Sequence, residues 1–218
     1  MEWILHYLSM KKLIKTNEKL QMTLANRPIN EDIHNIFFKL KSYIELNNFK
    51  GWDPYDGLES KFFKKLPFSN NSYFRIGWTQ FIKRSPINLR KIVKIDKGYN
   101  PKSLALILSA YCNIYNDKIV SEDQLDLIKS NIEYLTFKLI EMRNRNYSGS
   151  CWGYNFDWNS SAFFLPKSTP TVVCTTFVVD SLIKSFLILN NDDIIDCVKT
   201  SRNFIINDLN RIEKEDES

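Results

Sequence analysis

The stretch Pro101-Lys-Ser-Leu-Ala-Leu-Ile-Leu-Ser-Ala-Tyr-Cys-Asn-Ile-Tyr115 decides how this chain folds. Proline suits the first position of a helix, and residues 103–115 have almost no polar face, so a helix buried on all sides is predicted there. A second such helix, opened by a Thr-Pro pair, is predicted over 171–189. Helices of this kind need protein neighbours all round, which makes them the inner layer of a helical fold.

The predicted helices over 31–47, 121–144 and 193–212 are amphipathic and form an outer layer, and a helix over 2–25 is also amphipathic. The helix over 72–83 is intermediate in polarity and takes the inner place in the alternation, and a short basic helix is predicted over 87–95. Ser121 to Gln124 resembles a capping box, and Asp192 is predicted to cap the last helix. Alternating inner and outer helices predict an all-α fold, a partial α/α-toroid in one domain over 1–218.

The topology of these helices predicts that two distant loops meet. Antiparallel neighbours joined in sequence make every inner helix point the same way. The segments before the inner helices, 48–71, 96–101 and 145–170, therefore share one end of the fold. We expect Trp52 and Trp158, from the first and the last of these segments, to lie within about 15 Å of each other.

We call 48–71 the first loop and 145–170 the second loop. Both have the composition of a functional site and together hold three of the five tryptophans. An aromatic ring can stack on a sugar while a carboxylate beside it hydrogen-bonds or moves a proton. Asp157, between Phe156 and Trp158, has an apolar setting that favours a proton-donating acid. The candidates for catalysis are Asp53, Asp56, Asp157 and Tyr154, and the candidates for substrate binding are Trp52, Tyr55, Arg75, Trp152 and Trp158.

Each candidate also has a structural interpretation, which the sequence leaves open. Asp53 before Pro54 and Asp56 before Gly57 are typical turn formers. The tryptophans can pack the loops onto helix ends, and Arg75 can be an ordinary surface charge. Asp180, in an apolar helix, is expected to pair with Lys184 one turn later.

The motifs GWDPYDGL (51–58), WGYNFDW (152–158) and TPTVVCTTFVVD (169–180) carry a resemblance. Over residues 30–212 the chain is similar to a bacterial family found among surface-polysaccharide biosynthesis proteins. The helical hairpins also resemble two larger groups of α/α-toroids, the six-hairpin glycosidases and lyases and the terpene cyclases and prenyltransferases. The resemblance implies a ring with more helices than are present here. We therefore expect an incomplete ring that is the N-terminal part of a longer ring, self-associates, or is completed by a second polypeptide.

Composition excludes several classes of function. Two histidines leave little material for a His-based triad or a zinc site, and no nucleotide-binding loop motif occurs, so we expect no cofactor and no metal. Four widely spaced cysteines predict free thiols in a cytoplasmic protein. No membrane span is expected. Between Lys61 and Lys102 there are eleven basic residues and one acid, a block that fits a solvated surface or an anionic partner better than nucleic acid.

These observations predict a carbohydrate-related protein of surface-polysaccharide metabolism, most plausibly a glycosidase or lyase. Its partner would be a saccharide. The basic block is compatible with an anionic one. A saccharide-binding or scaffold protein without catalysis is the first alternative. A binder of polyprenyl phosphate or of a membrane surface, using the basic block, is the second.

Overall fold

The computed structural model describes residues 31–209, and the predicted helix 2–25 lies outside them. The chain divides into two compact units, Met1–Asn48 and Phe49–Ser218. In the first unit, α1 spans Glu31–Leu46, as predicted. Ile36, Leu40 and Tyr43 follow one another along this helix at a spacing of three or four, and all three are exposed. A single domain over 1–218 stays a prediction.

The second unit is mostly helical, which confirms the predicted all-α class. Its only sheet among the described residues is a small antiparallel hairpin in the second loop. The hairpin pairs β1 (Trp158–Asn159) with β2 (Phe164–Leu165). The helices are α2 (Ser72–Arg84), α3 (Pro101–Asn116), α4 (Glu122–Glu141), α5 (Val172–Leu189) and α6 (Asp192–Asn203), the last extended by a π-helical turn over Phe204–Asp208.

The inner helices α3 and α5 pack side by side and run parallel. Lys102 lies over the Phe177 ring near their N-termini, 4.6 Å from its centroid, and Lys184 donates to Ser109 about two turns further along both helices. Between them in sequence, α4 runs back, which brings Tyr134 to the start of α3, where its hydroxyl meets that of Tyr99 at 2.8 Å. The start of α3 and the start of α5 therefore share one end, as predicted, whereas a toroid stays a prediction.

Side-chain caps fix where most of these helices begin. Asn71, Asn100, Thr171 and Asn191 each accept a hydrogen bond from a backbone N–H of the first turn. The predicted cap at Asp192 is therefore wrong by one residue. The predicted capping box is wrong as well, because the Ser121 side chain forms no cap bond, and α4 ends at Glu141, before residue 144.

The predicted helix over 87–95 is wrong. Only a 3-10 turn, Leu89–Lys91, forms there. Lys94 has a positive φ of 58°, which ends any helical path, and Val93 and Ile95 turn inward to a small apolar cluster with Ile82. The segment therefore folds as an irregular connection, largely exposed, in which two buried side chains, Val93 and Ile95, anchor the chain by tertiary contacts.

The inner helices are not buried on all sides, which corrects the prediction made from their composition. Leu106 on α3 is 51% exposed, and Val173 and Phe177 on α5 are also exposed. The exposed Asp180 pairs with Lys184 at 2.7 Å, as predicted. By length and composition alone, α5 is also the one described helix apolar enough to cross a membrane, a weak indication because buried core helices share these properties. The absence of a membrane span stays a prediction.

Two glycines fasten the second loop to its surroundings. A Cβ atom added to Gly149 would lie 1.9 Å from the Thr200 carbonyl oxygen of α6, and one added to Gly153 would lie 2.2 Å from the Thr169 carbonyl oxygen. Both distances are far below van der Waals contact, so the backbones touch only because no side chain is present. Gly153 also bridges Pro170 as an antiparallel pair, which ties the loop to the start of α5.

Candidate functional site

Asp53 is held in place from two elements. Its Oδ1 accepts a hydrogen bond from the Tyr55 N–H at 2.9 Å, the Asx-type turn that the sequence predicts. Its Oδ2 accepts one from the Asn100 side-chain amide at 3.0 Å, while the Asn100 oxygen caps α3. The N-terminus of α3 thus sets the position of a carboxylate that is 47 residues away in sequence.

Asp56 lies directly behind Asp53 and is 5% exposed. The Arg90 guanidinium donates to both of its carboxylate oxygens, at 2.9 and 3.2 Å, and also to the Asp53 carbonyl oxygen at 2.9 Å. Burial raises the pKa of Asp56 to about 6, and the charge and hydrogen bonds of Arg90 offset only part of that effect. Asp56 is therefore a buried, paired carboxyl with a pKa close to neutrality.

Three aromatic residues of the second loop form a wall near Asp53. The Tyr154 ring stacks on Phe156 with centroids 5.4 Å apart and meets Trp158 edge-on at 6.1 Å. Burial raises the pKa of the Tyr154 hydroxyl, and the nearby Cys174 and Asp53 add to the effect. The hydroxyl therefore stays protonated and can donate a hydrogen bond or a proton.

Two cavities of the second unit share Asp53, and we call them together the Asp53 site. The aromatic cavity, of about 310 Å³, lies between the two loops and is lined by Asp53, Tyr55, Leu106, Tyr154 and Trp158, among others. The charged cavity, of about 320 Å³, is lined by Asp53, Asp56, Glu59, Asn155 and Lys167, among others. The expectation that the two loops meet is thus confirmed, although the 15 Å between Trp52 and Trp158 stays a prediction.

Glu59 and Lys167 join the two loops on the charged side. The Asp157 N–H donates to Glu59 at 3.2 Å, and the Lys167 ammonium lies 3.4 Å from the same carboxylate. The Asp157 carboxylate accepts a hydrogen bond from the Lys167 N–H at 2.7 Å. Asp157 lines neither cavity of the Asp53 site, so its contacts support the structural alternative over the catalytic one.

Three of the predicted binding residues hold the loops in place and line neither cavity of the Asp53 site. Trp152 is fully buried and donates to the Leu139 carbonyl oxygen at 2.7 Å, so no ligand can stack on it in this structure. Trp52 donates to the Ile95 carbonyl oxygen at 2.9 Å and packs on the apolar cluster beneath. Arg75 donates to the Ser69 carbonyl oxygen and lies over the Phe164 ring. These contacts match the packing role that the sequence left open for the tryptophans.

Several residues of the basic block are paired with side chains close to the first loop. Lys61 pairs with Asp96 at 2.6 Å, and Lys64 with Glu59 at 3.2 Å. Lys83 lies over the Tyr55 ring and donates to its hydroxyl. Together with the Asp56–Arg90 pair, these contacts leave the block less available to an external anion than its composition indicates.

The cysteines are also among the residue types that could ligate a metal. All four cysteines are free, as predicted, and buried; burial raises the pKa of Cys112 and of Cys174 to about 12. The Cys112 and Cys174 thiols are therefore protonated at neutral pH. Within residues 31–209, no group of three or more His, Cys, Asp or Glu side chains could hold a metal ion.

Sequence reasoning missed the residues that position the site. Arg90 was part of the basic block and Asn100 preceded a helix, so each had an ordinary explanation. Glu59 and Lys167 lie 108 positions apart and show no common pattern. Phe156 carried a signal, since it lies within the aromatic motif of the second loop.

Comparison of the chain with protein-family models, curated proteins and solved structures gave no match. The class defined by the structure is thus a mostly α-helical protein with a cleft between two loops at one end of parallel inner helices. A fold alone does not define a function, so the Asp53 site is the part of the molecule that bears on it.

Proposed function

We propose that this chain binds a saccharide in the Asp53 site and cleaves it, as a glycosidase- or lyase-like protein of surface-polysaccharide metabolism. The observation that carries the proposal is the position of Asp53, which lines both an aromatic cavity and a charged one. Sugars have an apolar face and a rim of hydroxyl groups. The aromatic cavity suits the first and the charged cavity suits the second.

The chemistry is assigned to Asp53 and Tyr154. Asp53 is the base, because it lines both cavities and two hydrogen bonds from neutral donors orient its carboxylate. Tyr154 is the acid, because it lines the same cavity as Asp53 and its hydroxyl carries a proton at neutral pH. In a lyase, Asp53 takes the proton beside a sugar carboxylate and Tyr154 protonates the departing glycosidic oxygen, so one C–O bond breaks and one C=C bond forms. In a hydrolase, Asp53 activates water instead.

Binding without cleavage is a second candidate, favoured by one observation. Both Asp53 oxygens already accept a hydrogen bond from the protein, which is also how a purely structural carboxylate is held. Each oxygen keeps a second lone pair, so both functions are compatible with the geometry.

The test uses the full chain and a panel of uronate-containing and neutral bacterial surface polysaccharides. We expect Trp158→Ala to weaken binding at least tenfold, and Tyr73→Ala, at an aromatic residue that is 85% exposed, to leave it unchanged. Asp53→Asn should retain binding and lower product formation at least 100-fold. Ultraviolet absorbance of a new double bond identifies a lyase, and new reducing ends without it identify a hydrolase.

The outcomes separate the two candidates. Binding that depends on Trp158, with no product from any polysaccharide, supports the non-catalytic function. Failure of the whole panel to bind, or binding that Trp158→Ala leaves intact, contradicts both.

A further inference from the structure

A third cavity lies apart from the Asp53 site and shares no lining residue with it. It has a volume of about 630 Å³ and lies between the C-terminal part of α4, the beginning of the second loop and α6. We call it the arginine cavity, after Arg143 and Arg145. Its volume is within the range of about 300–1,000 Å³ that is typical of small-molecule sites.

Backbone and side-chain contacts hold the walls of this cavity together. The Asn144 N–H donates to the Cys151 carbonyl oxygen at 2.8 Å, which folds the loop back on itself. Ser150 and Thr200 share a hydrogen bond between hydroxyls, also 2.8 Å long. The close approach of Gly149 to α6 completes the contact. The cavity is therefore shaped by several independent contacts and does not depend on one side chain.

Arg143 and Arg145 lie on either side of Asn144 and both line the cavity. Residues two apart in an extended segment point to the same side, which agrees with both arginines lining one cavity. Neither guanidinium forms a hydrogen bond or an ion pair with any residue in the described range 31–209. Ten N–H donors on two cationic groups are thus without a partner among those residues.

Asp193 and Asp196 line the opposite wall on α6. Neither pairs with the arginines, and Asp196 makes only a long contact of 3.8 Å with Lys199. Opposite charges that line one cavity without closing on each other leave space for a ligand between them. That ligand needs an anionic group for the arginines and hydrogen-bond donors for the carboxylates.

We propose that the arginine cavity binds an acidic sugar, with the sugar carboxylate on Arg143 and Arg145 and its hydroxyls on Asp193 and Asp196. A carboxylate matches the planar fork of a guanidinium and forms two parallel hydrogen bonds with it. A single negative charge suits a cavity lined by two arginines and two aspartates, whereas a doubly charged phosphate ester would be repelled by the aspartates. The Tyr147 ring, also in the lining, offers a face to the sugar ring.

This second site is independent of cleavage in the Asp53 site. The experiment titrates the full chain with sodium glucuronate, glucose and inorganic phosphate by calorimetry, with amide NMR shifts to locate binding. We expect glucuronate to bind at least tenfold more tightly than either comparator and to shift the amides of Arg143, Arg145 and Ser148. The double variant Arg143→Gln/Arg145→Gln should weaken glucuronate at least tenfold.

Arg84→Gln is the matched control, because Arg84 is exposed on α2 and lines none of the three cavities. It should bind glucuronate like the wild type. If the double variant unfolds, Arg143→Lys keeps the charge, removes the fork and should still weaken binding. The proposal is overturned if glucuronate fails to bind, binds no better than glucose or phosphate, or binds the arginine variants as tightly as the wild type. Trp158→Ala should leave this binding intact, which separates it from the Asp53 site.

Discussion

The two Trp-Asp loops are held by different forces. The first loop is held by charged and polar side chains, with Arg90 joining Asp56 to the Asp53 backbone and Asn100 joining Asp53 to α3. The second loop is held chiefly by close packing around the buried Trp152. The stability of the first loop should therefore depend on pH and on charge, and that of the second on shape.

The largest expected effect is on the second loop. Trp152→Ala should lower the free energy of unfolding by about 4 kcal/mol, because it empties a fully buried site and leaves the Leu139 carbonyl oxygen without its donor. Chemical denaturation measures this, with the exposed Tyr73→Ala as control. A loss below 1 kcal/mol would show that Trp152 does not anchor the loop.

A smaller loss is expected when the ion pair of the first loop is broken. Arg90→Gln should cost about 3 kcal/mol at pH 7, because it leaves the Asp56 carboxylate buried without its cation. The cost should be lower at pH 5, where a protonated Asp56 no longer needs the guanidinium. Urea titrations at both pH values check this, and Arg84→Gln, at an exposed position, should change stability at neither. Equal losses at both pH values would contradict the assignment.

The pH dependence of the first loop should be the smallest of these effects. The pKa of Asp56 is about 6 in the folded chain and 3.8 for an unperturbed aspartate, so the folded state binds the proton more tightly. The stabilisation from that proton is complete below about pH 4 and is lost as pH rises through 6. Relative to Asp56→Asn, wild-type stability should fall by roughly 2–3 kcal/mol between pH 4 and pH 7. A constant difference would mean that Asp56 titrates normally.

The sequence located the site better than it assigned its residues. GWDPYDGL and WGYNFDW do meet, and Asp53, Tyr55, Tyr154 and Trp158 line one cavity. The sequence could not separate the roles of Trp152 and Trp158. Both lie in the second loop and differ only in the residues that surround them in the folded chain. One became the packing centre of the loop and the other part of the cavity wall.

The sequence by itself determined the helical class, most helix positions and the shared end of the inner helices. These depend on local periodicity, on caps such as Asn100 and on chain direction, all of which are written along the chain. Only the tertiary structure decided that Arg90 pairs with Asp56, that 87–95 is not a helix, and that α5 keeps an exposed apolar face. Those outcomes depend on desolvation and packing between residues far apart in sequence, and no local pattern encodes the distance between two such residues.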